Sequence, residues 1–97
     1  MGSRENGAEK MSSDHPTDFQ GDIPAAIRNA ILVQIPDAQV SVSSASGGHY
    51  ELAVVSAAFE GKNMLQSQRL VLSSIAMLMK GDRAPVHAID SLKTRVP

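Results

Sequence analysis

Ala38-Gln39-Val40-Ser41-Val42-Ser43, then Ser44-Ala45-Ser46-Gly47-Gly48, then His49-Tyr50-Glu51-Leu52-Ala53-Val54-Val55-Ser56 carry a two-residue period, a break of small residues and a second extended run. Ala38, Val40 and Val42 alternate with Gln39, Ser41 and Ser43, the period-2 signature of a half-buried strand. The small residues that follow predict a flexible turn. From His49 to Ser56 a second strand is expected, apolar on both sides in its second half, as suits a more central position in a sheet. Two such strands joined by a loose connection make a hairpin.

Working outward from the hairpin, the period changes on both sides. Upstream, Ile23, Ile27, Ile31 and Ile35 recur every fourth residue with Ala30 beside them, one apolar stripe of a helix. Asp22 can cap it, Pro24 is tolerated in its first turn, and Pro36 stops it. Downstream, Ala57 to Asn63 is a connector in which Gly61 supplies backbone freedom. A long helix is predicted from about Met64 to Lys80, with Leu65, Leu72, Ile75, Ala76 and Met79 on one side and Gly81 closing it. Its methionines are expected to fill gaps in a small core. Asp82-Arg83-Ala84-Pro85 turns the chain, and Val86 to Leu92 reads as a last strand whose alternation Asp90-Ser91 interrupts, suggesting a bulge or a slight misregister. The order is αββαβ, with room for a short extra helical turn between Phe59 and Gln66.

Residues 1–21 carry no periodic apolar pattern and open on Met1-Gly2-Ser3. They read as a disordered, at least partly vector-derived tail, with residues 22–97 forming one domain. The 97-residue length allows a single domain, and 42% apolar with 20% charged residues is ordinary globular composition. Cysteine is absent, which removes disulfides, thiolate zinc sites and a cysteine nucleophile together. No apolar run approaches the roughly 20 residues that span a bilayer. The start is polar and has no signal core, so the expected location is the cytoplasm. No motif surrounds any serine, histidine or carboxylate in the way catalysis requires, so the chain is not read as an enzyme. A net charge of -1 and 3% aromatic residues argue against a base-stacking nucleic-acid platform.

Four segments, in order and at matching spacing, carry a resemblance. Gly48-His49-Tyr50-Glu51-Leu52-Ala53-Val54-Val55-Ser56, Phe59-Glu60-Gly61-Lys62, Leu65-Gln66-Ser67-Gln68-Arg69-Leu70-Val71 and Val86-His87-Ala88-Ile89 together resemble BolA-like proteins. The resemblance covers roughly Ile23 to Thr94. It implies an α+β fold, αββααβ of the second KH type, with a three-stranded mixed sheet and helices packed on one face. It implies a partner as well, a monothiol glutaredoxin with glutathione, sharing a bridging [2Fe–2S] cluster. That partner would supply thiolates and this chain imidazole nitrogen, a mixed ligation that raises cluster potential. Gln68 is similar to the residue found in the bacterial acid-stress-linked subgroup.

By the same resemblance, His87 matches the histidine of the family's Val-His-Ala-Leu-like strand and is the first-choice metal ligand. His49 occupies a shared histidine position after the loop, and Ser46 stands where other members carry a ligating cysteine. The structural alternative for His87 is a strand histidine held by a hydrogen bond, sharing parity with Ile89 and so aimed at the covered face unless it lies at the strand's open end. His15, in the polar tail, is read as solvated. Lys62, Arg69 and Lys80 are the candidate nucleic-acid contacts, for a second reading in which the chain is a stress-response transcription regulator on duplex DNA. Their structural alternative is a solvated helix face.

Overall fold

The computed structural model describes residues 21–97, so the tail expectation for residues 1–21, His15 included, lies outside the described residues apart from Gly21. Helix α1 spans Ile23–Gln34; the Asp22 carboxylate accepts the Ala25 amide at 3.1 Å, and Pro24 stands in the first turn. Ile27, Ile31 and Ile35 are 0–1% exposed, so the four-residue repeat is the core stripe. Strand β1 is Gln39–Ser44, β2 is His49–Val55 and β3 is Ala88–Arg95. The sheet order is β1-β2-β3, antiparallel between β1 and β2 and parallel between β2 and β3. A parallel neighbour demands a crossover, and helix α2, Met64–Ser74, lies within it. Asn63 and Gln66 form a reciprocal capping box at its start.

One face of the sheet is covered. Tyr50, Leu52 and Val54 of β2 meet Ile27 and Ile31 of α1, Ile35 just past its end, Val71 of α2, and Phe59, Ile75 and Val86 from the connections. On the other face Gln39, Ser41, Glu51, Lys93 and Arg95 are exposed. The result is two α-helices against a three-stranded mixed sheet, as expected. The short extra turn is a 3-10 segment at Ala57–Phe59, earlier than the Phe59-to-Gln66 window. Among the described residues no helix is long and apolar enough to cross a membrane.

The second half departs from the sequence reading in three respects. The long helix expected to reach Lys80 stops at Ser74; Ile75 leaves helical geometry at φ -110, ψ 11, and a 3-10 segment, Ala76–Met79, follows. At this end the Ser73 and Ser74 hydroxyls donate to the Leu70 and Val71 carbonyls, back-bonding that weakens and bends a helix, and the Ile75 amide tightens onto the Leu72 carbonyl at 3.2 Å. The buried face is only partly the expected one: Ile75 is 0% exposed as the pattern requires, but Leu65 and Leu72 are 55% and 37% exposed, and Ser67 and Val71, at 4% and 0%, take their place. Of the methionines, Met64 and Met77 are exposed, while Met79 packs, half-buried, against the core as expected. Finally, β3 begins two residues later than Val86 and runs on to Arg95. Val86 donates its amide to the Leu78 carbonyl at 3.1 Å and plugs the core before the strand starts.

Candidate functional site: one end of the parallel strand pair

Parallel strands start at the same end of a sheet. His49 is the first residue of β2, in register with Ala88, the first of β3, so His87 arrives next to Gly48. The His87 amide donates to the Gly48 carbonyl at 2.8 Å, which fixes that approach. A strand spacing of ~4.8 Å and a rise of ~3.3 Å put the His49 and His87 Cα atoms about 6 Å apart. His87 is exposed and precedes the strand, so parity with Ile89 does not carry it to the covered face. It stands at the open end, the exception the sequence reading allowed.

The loop that delivers His49 is a 3-10 turn, Ser46–Gly48, closed by the Ala45 amide on the His49 carbonyl at 2.8 Å. Gly47 and Gly48 take φ of +74 and +82, a left-handed backbone that side chains other than glycine rarely adopt. A Cβ at Gly47 would stand 3.8 Å from His49 Cδ2, so one edge of the ring lies beside the loop backbone. On the other edge, His49 Nδ1 is 2.9 Å from Asp90 Oδ1, the two side chains 44% and 46% exposed.

Asp90 reaches that position because β3 bulges. Tyr50 pairs with Ile89, but Glu51 pairs with Ser91, leaving Asp90 outside the ladder. The interruption was legible in the sequence; the His49–Asp90 contact was not, because nothing in periodicity links residues 41 apart. A second unforeseen pair braces the far end of β2. Asp37 accepts the Ser56 hydroxyl at 2.6 Å and the Ala57 amide at 3.0 Å, and Ser56 is fully buried. These donors, the serine first, hold the Asp37 carboxyl below its usual range. Burial, aided by Asp22, pushes the Tyr50 hydroxyl up.

Two histidines start at one sheet end. Among the described residues no group of three or more His, Cys, Asp or Glu side chains is placed to hold a metal ion. The chemistry of the donor set is compatible with one iron of a [2Fe–2S] centre, for which imidazole pairs are a known ligand type.

Lys62, Arg69 and Lys80 are all exposed. They are strung along the crossover and do not converge. Lys62 lies before α2, lining a shallow groove with Arg95, while Lys80 lies beyond it beside Asp82 and Arg83. The 11-residue helix between them is about 16 Å long. Gln68, read as a subgroup marker, has a structural task, donating to the Leu92 carbonyl at 3.0 Å and so tying α2 to β3.

Known proteins share both sequence and fold with this chain. BolA-like protein 1 of Homo sapiens is 34% identical over 86 residues, 79% of this chain and 60% of the human protein. The chain thus spans about 60% of the length of the curated relatives it matches. A BolA protein homologue from Coxiella burnetii is 32% identical with a TM-score of 0.62, over 75% of this chain and 88% of that one. BolA1 from Arabidopsis thaliana superposes with a TM-score of 0.65 over 79% of this chain and 94% of that one; at 19% identity this is a likeness of fold alone. The family described as BolA-like protein matches residues 33–97, which takes in β1, β2, α2, β3 and both histidines of the sheet end. The chain belongs to the BolA-like protein family.

Proposed function

We propose that this BolA-like chain is a non-enzymatic adaptor in cytoplasmic iron–sulfur cluster handling. It docks on a monothiol glutaredoxin carrying glutathione and completes a shared [2Fe–2S] cluster through His87 and His49. The observation that carries the reading is the meeting of these two histidines, 38 positions apart in sequence, at the start of a parallel strand pair.

Each part of the chain has a task in this reading. Val86, anchored in the core and bonded to Leu78, and the His87 amide on Gly48 hold His87 at the sheet end. The Gly47-Gly48 turn sets where His49 leaves the loop, and Asp90 steadies its ring. Both imidazoles must be neutral to offer a nitrogen lone pair, and the absence of cysteine leaves the thiolates to the partner. When bound, a [2Fe–2S] cluster supplies two irons that accept nitrogen and hold one electron reversibly.

The test is a titration of isotope-labelled chain with cluster-loaded monothiol glutaredoxin, following amide shifts and visible circular dichroism. The expected result is a changed cluster spectrum together with shifts centred on residues 46–49 and 86–90, the spectral change being lost with His87→Ala. An unchanged spectrum and unchanged shifts would overturn the proposal and leave duplex DNA as the reading to pursue.

A further inference from the structure

We propose that Asp90 is a positioning residue, which holds the Nδ1–H of His49 so that Nε2 is the nitrogen presented for ligation. The inference rests on the histidine ligation proposed above and adds to it a residue and an atom.

The case begins with the bulge. In an uninterrupted parallel ladder the residue after Ile89 would oppose Glu51, because Ile89 pairs with Tyr50. Asp90 would then sit against a second carboxylate, an unfavourable neighbour on the same sheet face. The register shift passes that place to Ser91 and releases Asp90 from the ladder. Its Oδ1 comes to 2.9 Å from His49 Nδ1, within ordinary hydrogen-bond distance.

Chemistry then fixes the proton. An ionised carboxylate only accepts hydrogen bonds, so Nδ1 must carry the hydrogen. A neutral ring has one such hydrogen, which leaves the lone pair on Nε2. The opposite ring edge lies beside Gly47, so the ring is bounded on two sides while its outer nitrogen is not in the Asp90 contact. A carboxylate behind a histidine is how metal ligands are commonly oriented, and losing it typically costs 10–100-fold in metal affinity. The pair is nearly half exposed, which places the expected loss near the lower end, about tenfold.

The bland account is a surface ion pair with no consequence for the ring. Nitrogen NMR of the full-length chain, with its histidine rings labelled and observed where they are neutral, separates the two accounts without any cluster present. Wild type and Asp90→Asn, which keeps an acceptor oxygen, should both show a protonated Nδ1 and an unprotonated Nε2 at His49. Asp90→Ala should show the averaged shifts of a ring exchanging between tautomers. In the glutaredoxin titration, Asp90→Ala should need about tenfold more chain for the same cluster spectrum, with Asp90→Asn recovering most of the loss. Wild-type ring shifts and titration midpoint in Asp90→Ala would overturn the assignment of Asp90 while leaving His49 ligation standing. Should the wild-type chain leave the cluster spectrum unchanged, the ligation reading falls and this inference with it, whatever the ring shifts.

Discussion

Asp37 illustrates how much one side chain settles here. Its carboxylate takes the Ser56 hydroxyl and the Ala57 amide together, joining the end of α1's connection to the end of β2. Both donors favour the ionised form, so the folded-state pKa lies below the ordinary aspartate value of 3.8. The unfolded state therefore binds its proton first as pH falls. The stabilisation is complete well above 3.8 and disappears as pH drops toward and through the lowered folded value. Thermal melts across the acid range should show the wild-type midpoint falling more steeply than that of Asp37→Asn; parallel slopes would remove Asp37 from the account. Neither this pair nor His49–Asp90 could be read from the sequence. Hydrogen bonds between residues 19 and 41 positions apart leave no periodic trace. The bulge that serves the second pair did leave one, because Asp90-Ser91 breaks an otherwise alternating strand.

At the level of elements, legibility followed whether a pattern had one reading or two. In α1 the apolar stripe is single, capped at one end by Asp22 and cut at the other by Pro36, so pattern and burial agree. In α2 the expected side is covered only in part: Ile75 is buried and Met79 packs against the core, but Leu65 and Leu72 are exposed while Ser67 and Val71 face inward. Periodicity finds a stripe; which stripe is covered depends on where β3 runs, and Gln68 bonded to Leu92 sets that relation. The helix end was missed because back-bonding serines compete with the helix only when their rotamers do so, and no spacing encodes a rotamer. Ile75→Ala should cost about 2–5 kcal/mol in urea unfolding. Leu65→Ala should cost no more than about 0.5 kcal/mol, as for surface positions generally. A cost at Leu65 as large as that at Ile75 would return Leu65 to the covered face.

For the whole molecule, the decisive feature is the parallel pairing of the last strand with the middle one. An antiparallel third strand would begin at the opposite end of the sheet and carry His87 away from His49. Alternation in a sequence says that a strand exists but not which way it runs, so the meeting of the histidines was reachable beforehand only through family resemblance. With the topology in place, the loop glycines, the Val86 plug and the Asp90 bulge all act on the same sheet end. The exposed basic residues of the crossover, by contrast, are spread along its length. The central claim is that this chain's own imidazole nitrogen binds iron in a cluster shared with a glutaredoxin. Pulsed electron paramagnetic resonance tests it most directly, with nitrogen-15 histidine in this chain only and the mixed complex reduced by one electron. The account predicts nitrogen-15 hyperfine coupling at the cluster, diminished by His87→Ala and abolished when His49 is replaced as well; a reduced cluster with no nitrogen-15 coupling in the wild-type complex would contradict it.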